Sequence, residues 1–172
     1  TTDGLYTIYP GIESGDETNG YEVYCDQTTD SGGWMLTWAY AHTGGYSDPL
    51  VGGTIPTDPN NGYSHFDLND FAGFTYDSIE DTRLYCTSPQ LHTRKIHFKA
   101  SAGLHKTMAW DGSSLSNSVY YWNGYYGGIT YLVGHTGNLP GSTVHASGRS
   151  TDAYSYYPFY YSGAYHWNIR AH

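Results

Sequence analysis

The chain is poor in basic charge, with seven Lys and Arg against sixteen Asp and Glu in 172 residues. A formal net charge of −9 excludes a nucleic-acid binder, which needs a basic surface to displace phosphate counterions. No apolar run approaches the length that crosses a bilayer, so membrane insertion is not expected. No leader precedes Thr1-Thr2-Asp3-Gly4, and the chain reads as a mature, secreted form from which a leader has been removed. Cysteine is scarce. Cys25 and Cys86 each follow a strand-like Tyr, and they allow either one internal disulfide or a covalent dimer. Asn-x-Ser/Thr is absent, which excludes N-linked sugar. Also missing are Gly-x-Ser-x-Gly, His-Glu-x-x-His and any Gly-rich phosphate loop, while the nine His are scattered. The chain is therefore not expected to be an enzyme; a secreted glycosidase, whose paired carboxylates leave no local motif, is a distant reading.

What is abundant is aromatic: 20 Tyr and 5 Trp, with 22 Gly. Tyr, Trp, Thr and Gly favour strands and shaped loops over helices. The length fits a single domain, 1–172, able to build its own core. The expected class is α+β and strand-rich, one compact domain with long loops and short helices. Charge is divided along the chain: residues 1–82 hold fourteen Asp and Glu and no Lys or Arg, whereas 83–172 hold all seven basic residues beside Asp111 and Asp152. The acidic half either supplies oxygen ligands to a hard cation or forms a solvated surface facing the basic half.

Residues 21–38 carry the clearest local signal. Val23 and Tyr24 end a strand, Asp30-Ser31-Gly32-Gly33 make a turn, and Trp34, Leu36 and Trp38 alternate with Met35 and Thr37. Gly-Gly supplies the positive φ that lets two antiparallel strands meet, so a hairpin with an aromatic anchor is predicted. Further strands are predicted over 5–9, 94–100, 107–110 and 164–170. Short helices are predicted over 67–73 and 77–83, with Asp67 and Ser78 as caps. The loop over 41–62 is long enough to be functional.

Two loop segments, 122–128 and 154–161, concentrate Tyr with Asn, Ser, Gly and Pro and lack alternation. Such residues stack on the CH faces of sugars and bond their hydroxyls at small entropic cost. Trp122, Tyr157 and Tyr161 are the candidate stacking residues. A loosely held Ca2+ would strengthen such a site by exchanging water for vicinal hydroxyls. Its candidate ligands lie in 42–48, with His42 and Asp48, in the 58–61 turn, and at Asn138 and Asp152.

Asp3-Gly4-Leu5-Tyr6-Thr7-Ile8-Tyr9-Pro10, then Glu22-Val23-Tyr24-Cys25-Asp26-Gln27-Thr28-Thr29-Asp30 and Gly32-Gly33-Trp34, resemble the N-terminal signature of the fibrinogen-related domains. Trp167-Asn168-Ile169-Arg170 is similar to that family's closing strand. The upstream cysteine that usually partners the Val-Tyr-Cys residue is missing, which brings Cys86 forward as the partner. Neither a second cysteine pair nor the family's Asp-rich calcium loop is present. Residues 34–42 followed by Gly44 resemble the intelectins, calcium-dependent lectins that share the signature. That resemblance implies a calcium loop near His42 and a sugar-binding calcium held by Asn, His and Glu, for which Asn138, His145 and Asp152 are the nearest equivalents by order. The size and Tyr content also resemble small secreted invertebrate lectins that bind galactose, including those of sea anemones.

The expected function is thus a secreted, calcium-dependent lectin for galactose-type or other hexose hydroxyl pairs. The alternative is an extracellular adhesion or matrix module that binds protein. Single sugar sites are weak, so a homodimer or higher oligomer is expected. Residues 21–38 are expected to be scaffold, with ligand contacts in 42–61 and 122–161.

Overall fold

The computed structural model describes residues 2–11, 15, 17–41, 51–87, 95–100, 106, 109–110, 119–120, 129–135, 144–146, 159–160 and 166–171. The described chain is strand-rich. Its strands are β1 (Gly4–Ile8), β2 (Tyr21–Asp26), β3 (Trp34–Ala41), β4 (Val51–Gly52), β5 (Gly62–His65), β6 (Thr82–Thr87), β7 (Lys95–Ala100), β8 (Val119–Tyr120), β9 (Ile129–Tyr131), β10 (Val144–Ala146), β11 (Phe159–Tyr160) and β12 (His166–Ala171). Nine form one sheet, ordered β1-β2-β3-β12-β6-β7-β9, with β5 also on β3 and β4 on β5. Among the described residues, only the β4–β5 pair is parallel. A second antiparallel sheet runs β11-β10-β8.

The predicted hairpin forms. Cys25 faces Met35 and Asp26 faces Trp34 across β2 and β3. Between them Asp30, Ser31, Gly32 and Gly33 all take positive φ, from 48° to 82°. Gly32 is required there, because a Cβ would sit 2.6 Å from the Gln27 carbonyl oxygen. Trp34, Leu36 and Trp38 are buried as expected, but Thr37 is buried too and Met35 is half-buried. Both faces of β3 are therefore covered, and β12 lies directly beside it in the sheet, between β3 and β6. The β3–β12 register slips at Ile169/Arg170, leaving Thr37 as the extra residue of a bulge. Its carbonyl accepts from the Phe66 amide at 2.7 Å.

One core cluster gathers Val23, Cys25, Phe66, Leu68, Ile79 and Ala109, with Met35, Phe71, Phe74 and Tyr21 packed against it. Phe66 and Phe71 meet edge to face at 4.3 Å, and Tyr21 meets Phe71 likewise at 5.3 Å. Each fully buried side chain of this size contributes about 1.5–3 kcal/mol of hydrophobic stabilisation.

Several expectations need correction. The two predicted helices are single 3-10 turns, Leu68–Asp70 and Tyr76–Ser78, and Thr82 onward is strand. Asp67 precedes the first turn without capping it; its carboxylate instead pairs with His65 Nδ1 at 2.6 Å, both side chains fully buried. Thr75, not Ser78, caps the second, and Ser78 closes the reciprocal capping box. Ala109 and Trp110 are helical where a strand was predicted over 107–110.

The Cys25–Cys86 bond is not made, and Cys25 is a free, buried thiol. β3 and β12 stand between the strands that carry the two cysteines. Three strand intervals are about 14 Å, twice the Cα separation a disulfide tolerates. No helix among the described residues is long and apolar enough to cross a membrane.

Candidate functional site

Alternation along β2 sends Val23 and Cys25 into the core and Tyr24 and Asp26 to the opposite face. On β6, Arg83 and Tyr85 likewise share one face, continued on β7 by their partners Lys99 and His97. All residues of these two rows but Lys99, with the loop at residues 59–60, line a cleft of about 290 Å³. Asp26 and Arg83 lie at its base, Tyr24, Tyr85 and His97 line its walls, and Asp3, Thr29, Pro59 and Asn60 complete it.

The base is a buried ion pair. Arg83 Nη2 donates to Asp26 Oδ2 at 2.5 Å, with the side chains 1% and 5% exposed. Asp26 also accepts from the Thr28 and Thr29 amides at 3.1 and 2.9 Å and from the Thr29 hydroxyl at 2.8 Å. Burial alone would raise the Asp26 carboxyl, but the Arg83 guanidinium and the Thr29 donors hold it well below the usual carboxylate range. The guanidinium carbon stands 5.0 Å from the centre of the Trp34 ring, a cation–π contact. Trp34 Nε1 in turn donates to the Thr29 carbonyl at 3.1 Å. The left-handed turn after β2 is thus tied to the base of the cleft. A second carboxylate, Asp3, accepts from the Gln27 amide at 2.8 Å and the Thr28 hydroxyl at 3.0 Å, which anchors the N-terminus to the same turn.

The His97 wall is oriented by its neighbours. Its Nδ1 lies 2.8 Å from the Val133 carbonyl oxygen, which can only accept, so Nδ1 carries the proton and Nε2 is the acceptor of the neutral ring. Its backbone amide donates to His135 Nδ1 at 3.1 Å, which places the His135 proton on Nε2. His97 meets Tyr85 edge to face at 5.2 Å, and His135 stacks on Tyr131 at 4.1 Å. On the loop side, Asp58 Oδ1 accepts from the Asn60 amide at 2.8 Å, an Asx turn that presents Pro59 and Asn60.

Of the predicted 58–61 turn, Pro59 and Asn60 line the cleft. His42, Asp48, Asn138, Asp152, Trp122, Tyr157 and Tyr161 lie outside the described residues. His145 falls on β10, opposite Tyr160 and Val119, with its side chain outside them as well. No group of three or more His, Cys, Asp or Glu placed to hold a metal occurs among the described residues. Residues 21–38 were expected to be scaffold alone, yet Tyr24, Asp26 and Thr29 line the cleft. Arg83, Tyr85 and His97 were missed. The available signal was Arg83 itself, the first basic residue after eighty-two positions without one.

Comparison with known proteins adds little. No protein-family model matches the chain, and no solved structure matches it. Tenascin from Mus musculus is 58% identical to this chain over 36 residues. The likeness is short. It takes in 21% of this chain and spans 2% of the tenascin chain.

Proposed function

We propose that this protein is a secreted carbohydrate-binding protein, a calcium-dependent lectin of the fibrinogen-related, intelectin-like kind, recognising galactose-type or other hexose hydroxyl pairs. The observation that carries the carbohydrate reading is the cleft, where two Tyr rings stand beside Arg83, His97 and Asn60. Aromatic faces with a few fixed polar groups are what a sugar ring needs. The fibrinogen-like wording of residues 3–10 and 22–34 supports the family assignment.

Calcium does not fit the cleft. Asp26 is occupied by a guanidinium and three neutral donors, and Asp3 by the Gln27 amide and the Thr28 hydroxyl. A cation would have to displace those donors and stand beside Arg83. The calcium reading accordingly rests on the resemblance, with His42, Asp48, Asn138 and Asp152 as the proposed donors.

A glycan array and a galactose column, each run with calcium and with chelator, test both parts. Binding of hexose-terminated glycans that chelator weakens is the expected result. Binding that chelator leaves unchanged removes calcium from the proposal; no binding to any glycan removes the carbohydrate reading and leaves the protein-binding adhesion module. Sedimentation with and without reductant tests the proposed dimer or higher oligomer.

A further inference from the structure

We infer that β1 is the surface through which this chain meets a second copy of itself: two β1 strands pair antiparallel about Tyr6 and join two sheets into one. The inference rests on the proposed oligomer and not on the identity of any sugar.

A sheet edge is normally blunted by shortness, charge, proline or a bulge, because its open backbone groups recruit any further strand. Among the described residues the other terminal strands are short: β9 has three residues, and β4, β8 and β11 have two each. β1 has none of these devices. Its five residues, Gly4-Leu5-Tyr6-Thr7-Ile8, hold no charge and no proline. Their register with β2 runs unbroken from Gly4 opposite Cys25 to Ile8 opposite Tyr21. Among the described residues, β2 is the one strand hydrogen-bonded to β1. Leu5, on the face away from the core, is 50% exposed.

The strand's own pattern selects the occupant. Leu5 and Thr7 are exposed, while Tyr6 and Ile8 pack against the core cluster. Opposite residues of paired strands share a face, so a partner strand must match this alternation, and a one-residue slip would exchange the faces. Antiparallel self-pairing about Tyr6 meets that condition over the whole strand. Leu5 then stands opposite Thr7 of the second copy, and Gly4 opposite its Ile8. Charge agrees. Continued one residue at each end, this register sets Asp3 against Tyr9 of the second copy. No carboxylate faces another across the join, which matters for a chain of net charge −9. Asp3 is in addition held on its own chain by the Gln27 amide and the Thr28 hydroxyl.

The two-fold axis of this pairing is perpendicular to the sheet, so each face continues across the join. Leu5 lies opposite Tyr24, a wall of the cleft. Both clefts therefore open on one side of the joined sheet, where two weak sites can engage one surface together.

Sedimentation of the whole chain over a range of concentrations, with reductant present, is expected to show a monomer–dimer equilibrium. Leu5→Glu removes an apolar contact and brings two carboxylates near each other across the join. Its dimer should be at least about tenfold weaker than that of wild type. Leu5 is half exposed, so circular dichroism should show this variant folded. Leu5→Cys/Thr7→Cys reads the register. Opposite Cα atoms stand about 4.5–5.5 Å apart, within disulfide range, so mild oxidation should link position 5 of one copy to position 7 of the other. Mass spectrometry of the linked peptides identifies the bond. In Leu5→Cys alone the two thiols lie on a diagonal of about 7–8 Å and should not link. If the double variant fails to fold, Leu5→Glu decides. The inference is overturned, and the oligomer stands, if Leu5→Glu associates as tightly as wild type or if the double variant links other positions only. A chain that stays monomeric at every concentration overturns the oligomer and the inference together.

Discussion

The two faces of β2 are built on opposite principles, although their residues alternate along six positions. Val23 and Cys25 enter a cluster of Phe66, Leu68 and Ile79, whose stability is a matter of area and shape. Tyr24 lines the cleft, and Asp26 enters a network whose members depend on each other for charge balance and hydrogen bonds. The first kind of face tolerates exchange among apolar residues of similar volume. The second does not tolerate loss of a single partner, because what remains is a buried charge. The difference singles out the candidate site: shape alone fills the apolar face, while the polar face holds groups in fixed orientation around an open volume.

The sharpest way to break this contrast is Arg83→Met. It leaves the Asp26 carboxylate buried without its cation, and destabilisation of about 3–5 kcal/mol is expected by urea unfolding. The double variant Asp26→Leu/Arg83→Met should recover most of that loss, since it removes both charges together. Recovery of nothing would mean that Arg83 acts mainly by packing on Trp34. Acid supplies a second readout. The native Asp26 pKa is depressed, so its contribution is present above the unfolded carboxylate value of about 3.9 and is lost as pH falls below it. The unpaired carboxylate of Arg83→Met has the opposite tendency, and the gap between the two proteins should narrow on acidification.

Leu68→Ala probes the other face and should cost about 3 kcal/mol through lost burial and a residual cavity. Here a volume-conserving change, Leu68→Met, should cost less than about 1.5 kcal/mol. If Leu68→Met proved as damaging as Leu68→Ala, the view of this face as a packing problem would fail.

How legible each face was follows from the range of the interactions that make it. The β2–β3 hairpin could be read because alternation and the Gly32-Gly33 pair are local. Strand β7 could be read for the same reason. Strand β6 was misread as the end of a helix, since Ser78-Ile79-Glu80-Asp81 has a helix-start composition while the strand pattern begins only at Thr82. The placement of β12 between β3 and β6 is a sheet-order property that no local period encodes. The cleft was illegible for the same reason. Its residues come from β2, β6, β7, the N-terminus and the Asx turn, and only the fold brings them together. Asp26 could be named from the signature segment, but its partner fifty-seven residues away could not.

Lys99 marks the border of the network and gives the smallest expected effect. Its ammonium pairs with Asp30 on the left-handed turn, but both side chains are 29% exposed, so water screens the pair. Lys99→Met should cost no more than about 0.5 kcal/mol. The sign of its pH dependence is nonetheless fixed. The hydrogen bond to Asp30 raises the Lys99 pKa, so the contribution is complete below the unfolded lysine value of about 10.4 and disappears as pH rises through the higher folded value. Wild type and Lys99→Met should therefore converge in stability at alkaline pH while differing slightly at neutrality. A loss several times larger at neutrality would place Lys99 inside the network, with the turn at Asp30 held by that one bond as firmly as the cleft is held by Arg83.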